Sequence, residues 1–239
     1  MQTTLEQLTV PIIGRISTPF KEKFAIPRQP GLVPSATGTI ELTAEFSSPD
    51  ACRGLENFSH IWLFFQFHQI PQGKWSALVR PPRLGGNQKM GVFATRSTHR
   101  PSNIGMSVVK LDSIESHQGK TFIEVSGVDL LDGTPIIDIK PYIQYVDAVQ
   151  DANSSFAQSE PTKLPVMFSD AAKQQLQAHS IEYAHLNDLI IETLQFDPSP
   201  AYHARTQPSN RVYGVELAEF NVRWQRLDAG IKVIEISKA

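Results

Sequence analysis

Apolar and polar residues alternate along much of the first 147 positions of the chain, and a helical period is nearly absent there. Short alternating runs separated by Pro- and Gly-rich turns are typical of β-strands. The pattern predicts strands at residues 10–17, 38–42, 60–68, 90–96, 105–111, 121–128 and 135–139. Several short strands at this spacing favour a closed or nearly closed β-barrel.

The third predicted strand carries apolar side chains on both faces. Because successive side chains of a strand point to opposite sides, one face holds Ile61, Leu63, Phe65 and Phe67. The other face holds Trp62 and Phe64, followed by the polar Gln66 and His68. We therefore expect a central strand with a polar end.

The period changes after residue 147. Residues 148–165 are rich in Ala, Ser, Asn, Gln and Pro, which is typical of a linker. Ser169 is a suitable N-cap for a helix through Leu176. A second helix is predicted over 181–194, and its apolar side is formed by Leu186, Leu189, Ile190 and Leu194. Strands are then predicted at 212–217, 220–226 and 231–236.

These patterns predict a mainly β protein with two domains. An N-terminal β-barrel domain of a non-Rossmann kind takes residues 1–147, and the linker takes 148–165. A smaller α+β domain takes residues 166–239.

The composition agrees with a folded protein in a reducing compartment. The chain has 239 residues, of which 41% are hydrophobic and 19% are charged, a globular balance. Its longest aliphatic and aromatic run, 61–65, is far shorter than the roughly 20 residues of a membrane helix. Residues 1–14 show no secretory signal, and the single Cys52 allows no internal disulfide. We expect a cytoplasmic protein that does not associate with membranes.

The charges are balanced in number but unevenly placed. The chain has 22 basic and 24 acidic residues, yet no acidic residue lies between Glu56 and Asp112. That basic stretch contains Lys74, Arg80, Arg83, Lys89, Arg96, Arg100 and Lys110. Such a bias indicates an anionic partner, either a nucleic acid or another phosphate-bearing molecule; a solvated basic face is the alternative.

Common catalytic and cofactor motifs are missing. No Gly-x-Gly-x-x-Gly follows a strand and opens a helix, and there is no Walker loop, which argues against a Rossmann-type nucleotide site. The seven histidines are scattered and there is one cysteine, so no metal site is indicated. We interpret Cys52 as a small passive side chain rather than a nucleophile.

Two loops have unusual residue choices. Residues 91–107 concentrate polar donors and two guanidinium groups, Arg96 and Arg100, near the end of a predicted strand. Residues 127–142 place Asp129, Asp132 and Asp138 among apolar neighbours. Asp132 begins an ordinary Asp-Gly turn. Asp138 lies within a strand, where an unpaired buried carboxylate is unfavourable, so it is either on the outer face or partnered.

These two stretches resemble the TsaA-like family, also called the YaeB or TrmO family. The likeness extends to residues 24–31, 54–62, 197–202 and 220–224, and thus covers nearly the whole chain. The resemblance implies an S-adenosylmethionine-dependent tRNA methyltransferase built on a β-barrel. It further implies methylation of N6 of threonylcarbamoyladenosine beside the anticodon of threonine tRNAs, and a homodimer.

The resemblance also implies a cofactor pocket. Its expected residues are Gln29, Pro30, Gly31, His68, Gln69, Arg96, Ser107, Gly127, Val128, Asp129 and Leu130. One departure is visible: the family commonly reads Arg-Pro-Asn-Pro-Ile-Gly where this chain has Arg-Pro-Ser-Asn-Ile-Gly at 100–105. We expect the missing second proline to soften that loop.

The chemistry of the residues fits this reading. S-adenosylmethionine carries no phosphate, so it needs no Gly-rich cradle, and Asp129 is able to accept a hydrogen bond from a hydroxyl or amine. We hypothesise that Asp138 accepts the proton of the target N–H or orients the group that does, while Lys140 and Tyr142 contact the substrate. The basic stretch would meet the anticodon stem-loop. Two alternatives are a non-catalytic RNA-binding barrel and a methyltransferase for another small molecule or protein.

Overall fold

Six antiparallel strands close into a barrel in the first part of the chain. The computed structural model describes residues 6–71, 73–85, 88–199 and 211–239, so the last part of the 197–202 motif lies outside the described residues. Its strands are β1 (Gly14–Ser17), β2 (Thr37–Leu42), β3 (His60–Gln66), β4 (Leu78–Val79), β5 (Met90–Gly91), β6 (Ile104–His117), β7 (Lys120–Ser126), β8 (Thr134–Pro141), β9 (Val166–Phe168), β10 (Val212–Leu217), β11 (Phe220–Leu227) and β12 (Gly230–Lys238). Its α-helices are α1 (Pro49–Cys52), α2 (Gln144–Asp147), α3 (Asp170–His179) and α4 (Leu186–Leu194).

The barrel has the strand order β1-β2-β7-β6-β3-β8 and an apolar interior. On β3, Ile61 and Leu63 are fully buried, whereas Trp62 and Phe64 on the opposite face are half-buried. β3 pairs with β6 on one side and with β8 on the other. The predicted alternation of β3 and the predicted barrel are therefore confirmed.

The strand predicted at 90–96 is wrong beyond its first two residues. β5 pairs only with the short β4, outside the barrel, and a 3-10 helix follows at Val92–Ala94. The apolar run Val92-Phe93-Ala94 does not alternate. The segment turns as a 3-10 helix instead of continuing as a strand, and this turn leaves Phe93 79% exposed while Val92 is buried.

β6 is longer than the sequence pattern predicts. It continues to His117 and forms a hairpin with β7 through Gln118 and Gly119, which both have positive φ angles. Such two-residue turns match the twist of antiparallel strands. Backbone pairing therefore extends the strand through polar residues whose pattern does not predict a strand.

The second part of the chain is a sheet of order β10-β11-β12-β9 with α3 and α4 beside it. Ser169 caps α3 as predicted, since its Oγ accepts a hydrogen bond from the Ala172 N–H at 3.1 Å. The second helix begins at Leu186 and not at 181, because residues 180–185 form turns and Ile181 is 89% exposed. Its predicted apolar side is confirmed as buried.

The two parts share one core. Their buried apolar residues form a continuous cluster, and Phe24 of the barrel stacks on Trp224 of β11 with ring centroids 5.8 Å apart. Across the described ranges, no helix is long and apolar enough to cross a membrane. The same ranges contain no group of three or more His, Cys, Asp or Glu side chains that could hold a metal ion.

Candidate active site at one end of the barrel

The strand register places three connections at the same end of the barrel. Thr37 at the start of β2 pairs with Ser126 at the end of β7, and Gln66 at the end of β3 pairs with Ile104 at the start of β6. β1 ends and β8 begins at this end as well. The connections that leave here are the first loop (18–36), the second loop (67–103) and the third loop (127–133).

The first and third loops cross at two glycines. The Gly31 N–H donates to the Gly127 carbonyl at 2.8 Å. Both residues have left-handed backbone conformations, with φ of +76° and +75°. A Cβ on Gly127 would lie 3.3 Å from the Gly31 Cα, so a side chain there would push the loops apart. The crossing leaves an exposed stretch of backbone at Gly31.

A side-chain hydrogen bond joins the first loop to the second. Arg96 Nη1 donates to Gln29 Oε1 at 2.6 Å, and Arg96 is exposed whereas Gln29 is half-buried. Arg100 orders the same turn by donating to the carbonyls of Thr95 at 3.0 Å and Ser97 at 3.3 Å. The two guanidinium groups predicted to lie at one rim therefore make different contacts. Arg96 bonds the first loop, whereas Arg100 bonds the backbone of its own loop.

Asp129 of the third loop is the carboxyl group enclosed by these contacts. Ser107 Oγ donates to Asp129 Oδ1 at 2.6 Å, which ties β6 to the third loop. Burial raises the pKa of Asp129 to about 6, although the Ser107 hydroxyl, the residue's own backbone N–H and the Arg96 charge lower it. A carboxylate that is poorly solvated in this way favours an incoming cation or hydrogen-bond donor.

His68 and Gln69 lie at the start of the second loop. Lys23 of the first loop donates from Nζ to the Gln69 carbonyl at 3.2 Å. Burial, followed by the charge of Arg15, lowers the pKa of His68, which favours the neutral imidazole. No direct hydrogen bond among the described residues joins His68 or Gln69 to Asp129.

Three further predicted pocket residues differ in what they expose. Pro30 is half-buried beside the glycine crossing. Val128 and Leu130 are at most 1% exposed and belong to the core. Their side chains therefore face the apolar core, and only their backbone atoms are able to reach a ligand.

Asp138 and Lys140 lie apart from this cluster, on the outer face of β8, and Tyr142 follows the end of that strand. Asp138 Oδ2 pairs with Lys140 Nζ at 2.7 Å, and the Asp138 side chain is 47% exposed. Tyr142 packs against Trp62, with ring centroids 6.0 Å apart. Asp138 is thus both on the outer face and partnered. Among the described residues, no contact connects this group to Asp129 within one chain.

An apolar groove of about 300 Å³ lies on the same outer face. It is lined by Trp62, Phe64, Met106, Lys140, Pro141, Ile143, Val146 and Asp147. Trp62 Nε1 donates to Asp147 Oδ2 at 3.0 Å, which holds α2 against β3. Exposed apolar residues continue along α2, where Tyr145 is 89% and Val146 is 57% exposed.

The basic stretch is largely exposed. Lys74, Arg80, Arg83 and Lys89 are exposed, and no described carboxylate forms an ion pair with them. Lys110 differs, because it pairs with Asp112 at 2.8 Å. The positive surface therefore belongs to the second loop rather than to β6.

The departure at 102–103 places a buried and hydrogen-bonded asparagine in the loop. Asn103 is buried with a φ of +51°, a conformation that proline cannot adopt. Its carbonyl accepts from the Phe67 N–H at 2.8 Å, and its Nδ2 donates to the Ile70 carbonyl at 3.3 Å. Asn103 thus ties the two ends of the second loop together, and the expected softening of the loop stays a prediction.

Comparison with known proteins identifies the family. The profile described as the tRNA-methyltransferase O N-terminal domain matches residues 15–148, and that of the TrmO C-terminal domain matches residues 161–239. The chain belongs to the TrmO family. The family predicted from the sequence motifs is thereby confirmed.

Relatives of the chain carry matching names. The tRNA (adenine(37)-N6)-methyltransferase of Escherichia coli K12 is 48% identical over 94% of this chain and 95% of its own length. A Pseudomonas aeruginosa protein that bears the name of a putative S-adenosylmethionine-dependent methyltransferase is 49% identical over 89% of this chain and 90% of its own. A crystal structure of TrmO from Pseudomonas aeruginosa matches with a TM-score of 0.82 and 40% identity over all of both chains. These relatives confirm the predicted enzyme class, a tRNA methyltransferase that uses S-adenosylmethionine.

Some contributors to the site carry no motif. Ser107 was predicted from the resemblance, but its hydrogen bond to Asp129 and the Lys23 bond to Gln69 are visible only in the fold. Glu192 of α4, which contacts Ser35 of the first loop, was also missed. Its one sequence signal is a negative charge in the last turn of a predicted helix, where the helix dipole disfavours it.

Proposed function

We propose that this chain transfers a methyl group from S-adenosylmethionine to N6 of threonylcarbamoyladenosine beside the anticodon of threonine tRNAs. The observation that supports this most is the meeting of three loops at one end of the barrel of a TrmO-family chain. The Gly31–Gly127 and Gln29–Arg96 contacts join the loops, and the Ser107–Asp129 contact joins β6 to the third loop.

The residues at this end fit S-adenosylmethionine. The molecule is cationic and lacks phosphate, so it needs an anion and neutral hydrogen-bonding groups rather than a phosphate cradle. Asp129 is an enclosed carboxyl group without a described cation in direct contact, and Gly31 presents bare backbone. The pocket would be formed by Gln29, Pro30, Gly31, His68, Gln69, Arg96, Ser107, Gly127, Val128, Asp129 and Leu130.

When bound, S-adenosylmethionine supplies a methyl group on a strongly electrophilic sulfonium. The protein's main task is then alignment, which can contribute about 7–11 kcal/mol to lowering the barrier. The crossed glycines and the Arg96–Gln29 bond fix the loops that would orient both reactants. The burial of Asp129 would strengthen its interaction with a bound cation.

We further propose that Asp138 accepts the proton from the target N6, with Lys140 and Tyr142 contacting the substrate. The Asp138 carboxylate is half-exposed, which leaves it open to a docked base, and its partner among the described residues is Lys140 Nζ at 2.7 Å. Asp138→Asn should reduce kcat by about 100-fold or more with unchanged S-adenosylmethionine affinity. Asp112→Asn is a matched control, because Asp112 forms a similar pair with Lys110 on β6. Full turnover by Asp138→Asn would refute this role.

The outer groove supports a homodimer. Its apolar lining continues onto the exposed Tyr145, Val146 and Val149 of α2 and the residues after it, a surface suited to a second copy of the chain. In such a dimer Asp138 and Lys140 would lie next to the interface. Val146→Asp should shift the mass measured by light scattering toward the monomer. Ile181→Asp, at a residue 89% exposed elsewhere, should leave the mass unchanged.

The basic second loop supports tRNA binding. Unpaired Lys and Arg side chains bind the phosphate backbone with a strong dependence on salt. A Lys74→Ala, Arg80→Ala, Lys89→Ala variant should bind tRNA more weakly and with a shallower salt dependence. Lys163→Ala is the control, since Lys163 is exposed outside this surface. A cytoplasmic location would follow from the tRNA substrate, and cell fractionation would test it.

Mass spectrometry of tRNA nucleosides from a strain lacking this gene tests the proposed function. We expect loss of the methyl group on threonylcarbamoyladenosine in threonine tRNAs and its return when the gene is restored. Unchanged nucleosides would contradict the proposal. Titration with S-adenosylmethionine tests the RNA-binding alternative, because a pure RNA-binding barrel would not bind it, and a methyltransferase for another substrate would incorporate methyl groups without tRNA.

A further inference from the structure

The C-terminal domain contacts the first loop through one charged side chain. Glu192 of α4 accepts two hydrogen bonds from Ser35, one from the backbone N–H at 2.9 Å and one from Oγ at 2.6 Å. Both donors bond the same oxygen, Oε2. Hydrogen bonds to a charged acceptor are stronger than neutral ones, so this contact fixes the Ser35 backbone firmly.

Ser35 lies at the point where the first loop holds the third. The carbonyl of the next residue, Ala36, accepts from the N–H groups of Gly127 at 2.9 Å and Val128 at 3.3 Å. Gly127 is bonded in turn to Gly31. A displacement of Ser35 would therefore move both the glycine crossing and the backbone that leads to Asp129.

The same domain holds the other side of the third loop. The Ala218 N–H, in the β10–β11 turn, donates to the Pro19 carbonyl at 2.7 Å. The neighbouring Thr18 donates from Oγ to the Leu130 carbonyl at 2.9 Å. The third loop is thus supported by the C-terminal domain at two separate points, through Ser35 and through Pro19.

Glu192 is not needed to hold the domains together by apolar packing. Leu186, Leu189, Ile190 and Leu194 of α4 are all 0% exposed and supply that packing. Glu192 lies in the last turn of α4, where the helix dipole disfavours a negative charge, and it is half-buried. Glu192 thus occupies an unfavourable location, and two hydrogen bonds from Ser35 compensate for it. This indicates that Glu192 has a role at the first loop.

We propose that Glu192 is a positioning residue for the S-adenosylmethionine site, acting through Ser35 and Ala36 on the third loop. This inference rests on the proposed function. It assigns the C-terminal domain a part in cofactor binding, because that domain sets the spacing of the first and third loops. Glu192 itself touches neither the cofactor nor the reacting atoms.

The test uses the full chain with Glu192→Gln, Ser35→Ala and the double variant. Asp188→Asn is the matched control, since Asp188 is exposed one turn earlier on α4 and contacts Asn187. We expect the Kd and KM for S-adenosylmethionine to rise about 2- to 30-fold in each single variant. The kcat of each variant should stay within about twofold of the wild-type value. The double variant should bind S-adenosylmethionine no more weakly than the single variants do. The control should match the wild type.

Hydrogen exchange without cofactor gives a readout independent of activity. The amides of Gly127 and Val128 should exchange faster in Glu192→Gln and Ser35→Ala than in Asp188→Asn. Unchanged exchange and unchanged Kd in both variants would overturn the inference, as would effects that add in the double variant. Ser35→Ala leaves α4 intact, so the test holds even if Glu192→Gln weakens the helix. Failure of the wild type to bind S-adenosylmethionine would refute the proposed function, whatever the exchange data show.

Discussion

Replacing Asp129 by asparagine removes a carboxyl group whose ionisation is disfavoured in the folded protein. Its pKa lies at about 6 in the fold against an ordinary value of 3.8, because burial removes water from the carboxylate. The folded state therefore binds this proton more tightly than the unfolded chain does. The resulting stability is fully present below pH 3.8 and is lost as the pH rises through about 6.

The size of this effect follows from the two pKa values. At about 1.36 kcal/mol per pH unit, the difference between 3.8 and about 6 corresponds to about 3 kcal/mol. The side-chain amide in the Asp129→Asn variant does not titrate, and its oxygen can still accept from Ser107. Relative to wild type, the variant should therefore gain about 2.5 kcal/mol of unfolding free energy between pH 4 and pH 7, because part of the full difference is already lost at pH 4. For a chain of this length, that gain corresponds to about 5–10 °C in Tm.

Calorimetric unfolding of both proteins without cofactor, at several pH values from about 4 to about 8, measures this gain. The difference between the two proteins isolates Asp129, because the other titrating groups are common to both. A difference that stays constant across this range would refute the reasoning. It would show that the Asp129 carboxylate is well solvated or paired in the fold.

Three further outcomes are expected. At pH values below about 6, Asp129 takes up a proton, so the affinity of the wild type for S-adenosylmethionine should decrease. Titration calorimetry at about pH 5 and pH 7.5 would show this decrease, and equal affinities would contradict it. Asn103→Pro should lower the unfolding free energy by about 2–4 kcal/mol in urea titrations, because proline cannot adopt a φ of +51°, whereas Asn103→Gly should be mild. Gly127→Ala should weaken cofactor binding and lower stability by about 1–3 kcal/mol, since its Cβ would meet Gly31. Gly119→Ala, with the same φ of +75° and open space around it, should affect stability alone, so equal cofactor binding by both variants would argue against the crossing.

The sequence predicts the barrel because alternation is a local property of a strand. Ile61 and Leu63 are buried as their spacing requires, and Ser169 caps α3 as its position before the helix indicates. The prediction of a strand at 92–94 fails because this apolar run does not alternate and has no barrel strand to pair with. The polar end of β6 could not be predicted, because it is stabilised by backbone pairing with β7 and the polarity of its side chains does not indicate a strand.

The candidate site could be predicted as a set of residues but not as a set of contacts. Motifs indicate Gln29, Arg96 and Asp129, yet nothing in the sequence pairs Arg96 with Gln29, 67 residues away. The Glu192–Ser35 contact spans 157 positions and joins two domains. Such pairings depend on how the barrel closes and how the C-terminal domain packs, and both are properties of the whole fold.

A crystal structure of the chain soaked with S-adenosylmethionine would show where the cofactor binds. We expect the bound molecule at the barrel end where the three loops meet, in contact with Gln29, Gly31 and Asp129. Density at the opposite end of the barrel or on the C-terminal domain, with these three residues untouched in every subunit, would contradict it.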